Sequence, residues 1–574
     1  MNKTSSRKWI SLALASAFVL SAATGCGSKG NSSSGTASTP SSSEAPVSSG
    51  DGAFDPRSIT EGVKITICAP ENIKVEDYNT NLMTLAIEEA LGVDLEFTVL
   101  PSADYGNKLN VMVTGGDTLP DIITKPSNIE AWGQEGAILA LNKYYEDPNM
   151  SANIQDACAR TGVDIATYMT SPSGNIYGLP SWGQSPNGEV WKKTWVYQPW
   201  LEQLGKEVPQ TLDEFYEVLK LVASTDLNGN GKADEIGMTG TGILAGGTWF
   251  DFLMSSFVYA YDGEYRTLSN GEIGFAYTTE EWKEGLKYLN QFFDEKLIPT
   301  ETLTQNEEQY KAMLNSTDTT VFSFNYWNAD QLNADLMDRK LGYTYINALE
   351  GPSGLKEGMY APSLPWTGSA ISADCKNPDA AFLVGDYMCS EEMSITQRFG
   401  QRGVDWDYWA DAKVENKADY EAATPGEDIF YICYDDAAFW GSGTTQNRSY
   451  LQNGPYVWQS ALVSGQAVNV SSTDPAEVQK REYAQIYSAS TADGHEVARK
   501  EVVSYLPLTI EESDSITDIK TSLSTYIRET TAAFLTGSRD IDGEWDSYLA
   551  ELEQIGYKTV LEVYQTAYDR YINQ

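Results

Sequence analysis

The chain has 574 residues, 41% of them apolar and 11% aromatic, which is material for more than one hydrophobic core. Its 81 acids against 39 cations leave a formal charge of −42. Such a surface repels nucleic acid and anionic lipid head groups and disfavours polyanionic substrates, because all of these need basic footprints.

In chain order, three cations (Lys3, Arg7, Lys8), an apolar run from Trp9 to Ala23 and small residues before Cys26 describe a cleaved export signal over residues 1–25. Ala23-Thr24-Gly25-Cys26 resembles the lipobox of bacterial lipoproteins, although Ala23 stands where that motif usually carries Leu. The resemblance implies that Cys26 is diacylated, and two acyl chains anchor stably where one is marginal. An ordinary secretory signal with an incidental cysteine is the alternative. Residues 26–57, mostly Ser, Gly, Thr, Ala and Pro, read as a flexible tether that holds the folded part off the outer face of the cell membrane. No second apolar run reaches membrane-spanning length.

Order is expected to begin near Arg57. Val63 to Cys68 alternates like a strand, Tyr78 to Leu91 has helical spacing and ends at Gly92, and Val93 to Val99 alternates again. A helix near Tyr105 to Val113 and a strand at Ile122-Ile123 continue this βαβ order, which predicts an α/β domain. A second region opens with a strand-like run over Gly188 to Val196. In the helix that follows, Thr211 and Glu214 form a capping box, and Leu212, Phe215, Leu219 and Val222 share one face. The C-terminus keeps helical spacing through Trp545, Tyr548, Leu549 and Leu552 and, after Gly556, through Val560, Val563, Tyr564 and Ala567.

Five cysteines remain after Cys26: Cys68, Cys158, Cys375, Cys389 and Cys433. With no CxxC or CxxH spacing they support neither a redox site nor a zinc site. Buried thiols are the expectation, with a Cys375–Cys389 bridge as the alternative. The single histidine, His495, stands in a loop-like setting, so a Ser/His or Cys/His catalytic pair has little to build on, and no phosphate-binding loop is present. A glycoside hydrolase needs only two carboxylates, a signal without specificity among 81 acids.

Several short stretches, in order, resemble family 1 extracellular solute-binding proteins, the group of the maltose- and alginate-binding proteins. They are Gly115 to Ile123 (GGDTLPDII), Trp200 to Gly205 with Val208 to Phe215 (VPQTLDEF), and Lys376 to Ala381 (KNPDAA) with Asp386-Tyr387-Met388 and Ser390-Glu391-Glu392. The tail, Phe534 to Gly537, Trp545 to Tyr548 and Ala567 to Tyr571, is similar to that of larger Gram-positive lipoprotein members. The resemblance implies a two-lobed periplasmic-binding-protein-like α/β fold (type II), with a hinge and an interlobe cleft. Residues 58–182 with 366–435 would form lobe I, and residues 183–365 with 436–574 would form lobe II. It further implies a monomeric, non-enzymatic receptor that passes an oligosaccharide to the permease subunits of an ABC importer. A glycoside hydrolase and a peptide-binding receptor are the rival readings.

Asp226-Leu227-Asn228-Gly229-Asn230-Gly231-Lys232-Ala233-Asp234-Glu235 places oxygen side chains at loop positions 1, 3, 5 and 9 and Gly at position 6, as an EF-hand loop does for a hard cation. Position 12 is Gly237 where that loop carries a bidentate Glu, so Glu235 is expected to substitute in a helix-loop-strand variant. A structural Ca²⁺ held by Asp226, Asn228, Asn230, the Lys232 carbonyl, Asp234 and Glu235 is the expectation; an Asn/Gly turn that binds nothing is the alternative.

Sugar rings pack their C–H faces on aromatic rings and direct their hydroxyls at amides and carboxylates. By the resemblance, the cleft would draw on Lys125, Ser127 and Asn128 after Ile123, Trp182 and Gln184 at the first crossing, and Asn325, Tyr326 and Trp327 on the second lobe. Trp366 would stand at the return crossing, with Trp249 and Trp440 on Gly-rich rims. Few fixed charges stand in these segments, which favours a neutral oligosaccharide over a peptide.

Overall fold

Alternation of apolar and polar side chains writes the first strands. Leu95 and Phe97 point inward from β2 (Asp94–Leu100) while Asp94, Glu96 and Thr98 face water, the pattern of an edge strand; its neighbour β1 (Lys64–Pro70) buries Ile65, Ile67, Cys68 and Ala69. The helix between them, Leu82–Leu91, starts where the Asn81 side chain accepts from the Met83 N–H at 3.1 Å and stops at Gly92, whose φ of 70° suits a residue without Cβ. The computed structural model describes residues 54–573 apart from 185–192, 243–247, 260–263, 318–319, 327–331, 358–362, 436, 441–443, 475–476, 479–480, 482–502 and 504. The export signal, Cys26, Trp327 and His495 lie outside the described residues.

The first sheet has six strands. With β3 (Ile122–Thr124), β4 (Leu179–Gly183), β11 (Trp366–Ile371) and β15 (Tyr456–Trp458), its order is β15-β4-β11-β3-β1-β2. β1 runs parallel to β2 and β3, β11 runs antiparallel to β3 and β4, and β15 runs parallel to β4. One apolar cluster, with Ile65, Leu179 and Phe382, and another, with Cys68, Ile123 and Trp132, pack against this sheet.

The second sheet takes β5 (Lys193–Tyr197), β6 (Ile236–Thr239), β9 (Val321–Tyr326) and β10 (Tyr343–Ile346) in the order β10-β5-β9-β6, beside a hairpin of β7 (Arg266–Ser269) and β8 (Glu272–Phe275). The helix Leu212–Ser224 carries the capping box, and the helix Glu280–Asp294 turns Trp282, Leu286, Leu289, Phe292 and Phe293 into the core. Burial of each such side chain is worth roughly 1.5–3 kcal/mol, so a charge at Leu289 would break this layer.

The segment 436–574, expected as one piece of lobe II, divides. β15 completes the first sheet, and Phe439, Tyr450, Leu451 and Val457 belong to its core. Two ribbons, β12 (Trp406–Tyr408) with β14 (Tyr431–Cys433) and β13 (Tyr420–Ala422) with β16 (Ala467–Asn469), stand between β11 and the end of that excursion. The helices Ile510–Leu535, Ile541–Ile555 and Tyr557–Ile572 join the second core instead, through Leu523, Phe534, Trp545 and Tyr564, with Val503 ahead of them in the same cluster. Gly556, at φ 116°, makes the corner between the last two helices. Among the described residues the chain passes between the two sheets after Gly183 and again after Ile346, and after Asn469 it goes on to the helices of the second core. No helix among the described residues is long and apolar enough to cross a membrane. The five described cysteines form no disulfide; Cys375 and Cys389 are both buried thiols.

Candidate functional site

Parallel pairing aligns Pro70 with Leu100 and Cys68 with Ile123, so β1, β2 and β3 end on one edge of the sheet. Carboxyl ends of parallel strands are where open α/β sheets leave room for ligands. The turns leaving them enclose a depression of about 570 Å³, lined by Glu71, Asn72, Ile73, Tyr105, Lys125 and Asn453 among others. The Tyr105 hydroxyl ties two strand ends together, reaching the Thr124 carbonyl at 2.6 Å and the Cys68 carbonyl at 3.2 Å. Asn453 donates to the Tyr78 hydroxyl at 2.7 Å, bringing the later excursion of the chain to the same edge.

Lys125 and Asn128 both adopt left-handed backbone, with φ of 45° and 54°. Such conformations cost non-glycine residues energy and concentrate where function over-determines the backbone. Lys125 is held there by its N–H, which donates to the Gly368 carbonyl at 2.7 Å. Its side chain keeps an open face toward the depression, yet the surrounding protein displaces enough water to press its pKa below the ordinary lysine value. The Ser127 hydroxyl is buried without a partner, and Asn128 donates to Asn110 Oδ1 at 3.0 Å. Beside the depression, Ile73 is 85% exposed and Trp440 36% exposed, and Lys74 Nζ donates to the Trp440 carbonyl at 2.8 Å.

The remaining expected contacts divide by burial. Trp182 is buried, and its indole N–H donates to Ser363 Oγ at 2.9 Å while Ser363 donates to the Gly183 carbonyl at 3.2 Å; it staples the first crossing to the return crossing. Gln184 spends its amide on the Thr161 carbonyl and the Ser460 N–H, both at 3.2 Å. Trp366, 45% exposed, opens β11 opposite Ser181. At the carboxyl end of β9, Asn325 is buried with its Oδ1 unpartnered, and Tyr326 donates to Glu307 Oε1 at 2.7 Å while stacking on Tyr310. Trp249 corrects the expectation of a cleft rim: it is 0% exposed and sits among Phe250 and Phe293 in the second core, because the helix Thr248–Met254 turns it inward.

Sequence reasoning passed over Asn453, Tyr105 and Lys193. Lys193 opens β5 and is buried opposite Tyr326, where desolvation lowers its pKa to about 7. A lysine beginning the otherwise apolar and aromatic run KTWVY was the available signal.

The loop between the helix Leu212–Ser224 and β6 curls around its own oxygens. Asp226 Oδ1 accepts from the Gly229 and Asn230 N–H groups, its Oδ2 from Gly231, and Asn230 Oδ1 from Lys232. Glu235 enters from the strand side, where Oε1 accepts from Leu227 at 2.6 Å and Asn228 at 2.9 Å and Oε2 is buried without a hydrogen-bond partner. No group of three or more His, Cys, Asp or Glu suited to a metal stands among the described residues, so the carboxylates alone do not make a site; amide and carbonyl oxygens would have to complete it.

Against known proteins, residues 77–394 match the family model described as bacterial extracellular solute-binding protein. The chain is 25% identical over 527 residues to the fructooligosaccharide ABC transporter substrate-binding protein FusA of Streptococcus pneumoniae, covering 88% of this chain and 89% of the relative. In structure it is similar to an HMO-binding, ABC-transporter-associated solute-binding protein from Bifidobacterium longum infantis (TM-score 0.72, 19% identity, covering 89% of this chain and 99% of the other). It is also similar to an S. pneumoniae FusA EF-hand mutant in complex with fructo-nystose (TM-score 0.66, 22% identity, 89% and 100%). The fold is thus that of these solute-binding proteins, and the chain belongs to the bacterial extracellular solute-binding protein family.

Proposed function

We propose that this chain is an oligosaccharide receptor, held on the outer face of the cell membrane by a lipid on Cys26, that captures its ligand between two lobes and hands it to the permease of an ABC importer. The observation that carries this reading is the depression at the carboxyl edge of β1, β2 and β3, with amide, lysine and exposed apolar side chains around it. The fructooligosaccharide named for FusA supports the ligand class. The two crossings between the sheets and the later passage to the helices of the second core would serve as a hinge, and a ligand favours closure only by contacts it lacks in the open form.

The proposal includes a structural Ca²⁺ in the loop 226–235. The donor types fit a hard cation: Asp226, Asn228 and Asn230 offer carboxylate and amide oxygens on the inside of one tight loop, and Glu235 Oε2 is a buried acceptor with nothing to accept from. Bound there, the ion would screen the carboxylates and fix the end of the helix Leu212–Ser224 against β6; it has no part in ligand chemistry. FusA, through its EF-hand mutant, is a relative in which such a loop has been altered.

A thermal-shift screen of the mature protein over an oligosaccharide panel, with peptides as controls, tests the function. Stabilisation by at least one oligosaccharide is expected; stabilisation by peptides alone would refute it. Assay for new reducing ends on the same panel should stay blank.

A further inference from the structure

We infer that the oligosaccharide this site accepts carries carboxylates, as uronic acids do, and that Lys125 is the residue that selects them. The inference rests on the proposed function and sharpens its ligand class.

One cation, Lys125, lines the depression at the edge of the first sheet, and two more, Lys74 and Arg398, stand on or against residues adjoining its wall; none of the three has a carboxylate partner within ion-pair reach among the described residues. Lys125 lines it directly, on left-handed backbone that its hydrogen bond to Gly368 holds in place. Lys74, next to the exposed Ile73, gives its amine to the neutral Trp440 carbonyl. Arg398 lies over the rings of Trp440 at 5.1 Å and Trp458 at 5.8 Å, and its hydrogen bond goes to the neutral amide of Gln452, the neighbour of Asn453 on the cavity wall.

In a chain with twice as many acids as cations, acidic partners are abundant, and elsewhere cations find them: Arg402 alone reaches Glu392, Asp407 and Asp411. Glu71 is the one carboxylate among the lining residues, and no ion pair joins it to Lys125. The Lys125 ammonium opens on the depression without a counter-charge, and a ligand carboxylate would supply one through a charge-assisted hydrogen bond. The overall negative charge does not oppose this at close range, since exposed charges beyond about 10 Å are screened at ordinary ionic strength. A neutral ligand, which the scarcity of charge in the candidate segments favours, would leave Lys125 without a counter-charge. The aromatic and apolar rim, Trp440 and Ile73, serves the sugar faces in either case.

The test is calorimetric titration of the mature protein with short oligomers of galacturonate, glucuronate and mannuronate, each beside its carboxyl-reduced neutral counterpart, and with neutral fructans. The tightest acidic oligomer is expected to bind roughly tenfold or more above its reduced counterpart, as a charge-assisted hydrogen bond implies. Lys125→Gln should abolish that preference while leaving the melting temperature unchanged, and Lys125→Arg should retain it. Equal or tighter binding of the reduced or fructan ligands, or an acid preference untouched by Lys125→Gln, overturns the inference and leaves the oligosaccharide reading standing. Binding of no saccharide at all overturns both.

Discussion

Asp386 offers a sharp test of how the first lobe is held together. Its carboxylate, buried in the helix Pro378–Met388, caps the start of a different helix, Ala152–Thr161, whose own N-cap residue Ser151 makes no capping bond. Oδ1 accepts from the Ile154 N–H at 3.0 Å, and Oδ2 accepts from the Asn153 N–H at 3.1 Å and its side-chain amide at 2.8 Å. These donors favour the charged form, yet burial outweighs them and raises the pKa from 3.8 to about 6. The folded chain therefore holds this proton more tightly than the unfolded chain. Stability from this group is full below 3.8, falls as pH rises through the window to about 6, and is flat beyond it. At about 1.4 kcal/mol per pKa unit the whole effect is roughly 3 kcal/mol, of which about 2 kcal/mol falls between about pH 4 and about pH 7. Asp386→Asn keeps the shape and removes the ionisation. Urea unfolding followed by tryptophan fluorescence should show wild type losing about 2 kcal/mol relative to the variant across that window, with other titrations cancelling in the difference. A wild-type-minus-variant difference that stays constant with pH would refute the reasoning.

Trp249→Ala should cost about 3–5 kcal/mol in the same unfolding experiment while leaving ligand affinity intact, because the ring fills the second core; weakened binding at unchanged stability would return it to the cleft. Chelation should lower the melting temperature of the mature protein, and Ca²⁺ at about a hundred times its dissociation constant should restore about 2.7 kcal/mol. Asp226→Ala should make the melting temperature indifferent to Ca²⁺, and continued sensitivity would place the ion elsewhere. Cys26→Ala should shift the protein from the membrane fraction to the medium or block its processing, and unchanged membrane retention would rule out the lipid anchor.

Local patterns carried far because they are local physics. Alternation of period two located β1 and β2, the Thr211–Glu214 pair located a helix start, and Gly556 located the break between the last two helices. The spacing of Asp226, Asn228 and Asn230 marked a loop whose oxygens do turn inward, since Asx side chains bond the backbone N–H groups just ahead of them. Aromatic residues were less legible. A Trp in a Gly-rich stretch reads alike whether its helix turns it outward, as with Trp440, or inward, as with Trp249.

By itself the sequence determined the α/β character, the capped helices and the family, all of which rest on short contiguous stretches or their order along the chain. Tertiary structure alone decided that Tyr456–Trp458 returns to the first sheet, that Asn453 and Lys125 line one depression, and that Trp182 ties the first crossing to the return crossing. The reason is sequence distance. β15 pairs with a strand that precedes it by more than two hundred residues, and no periodicity or cap encodes which of two half-buried edges a short strand such as Tyr-Val-Trp will complete. That choice is made by shape and packing: Gly183 lies so close to the Trp458 ring that a Cβ there would overlap it, and Val457 fills the first core.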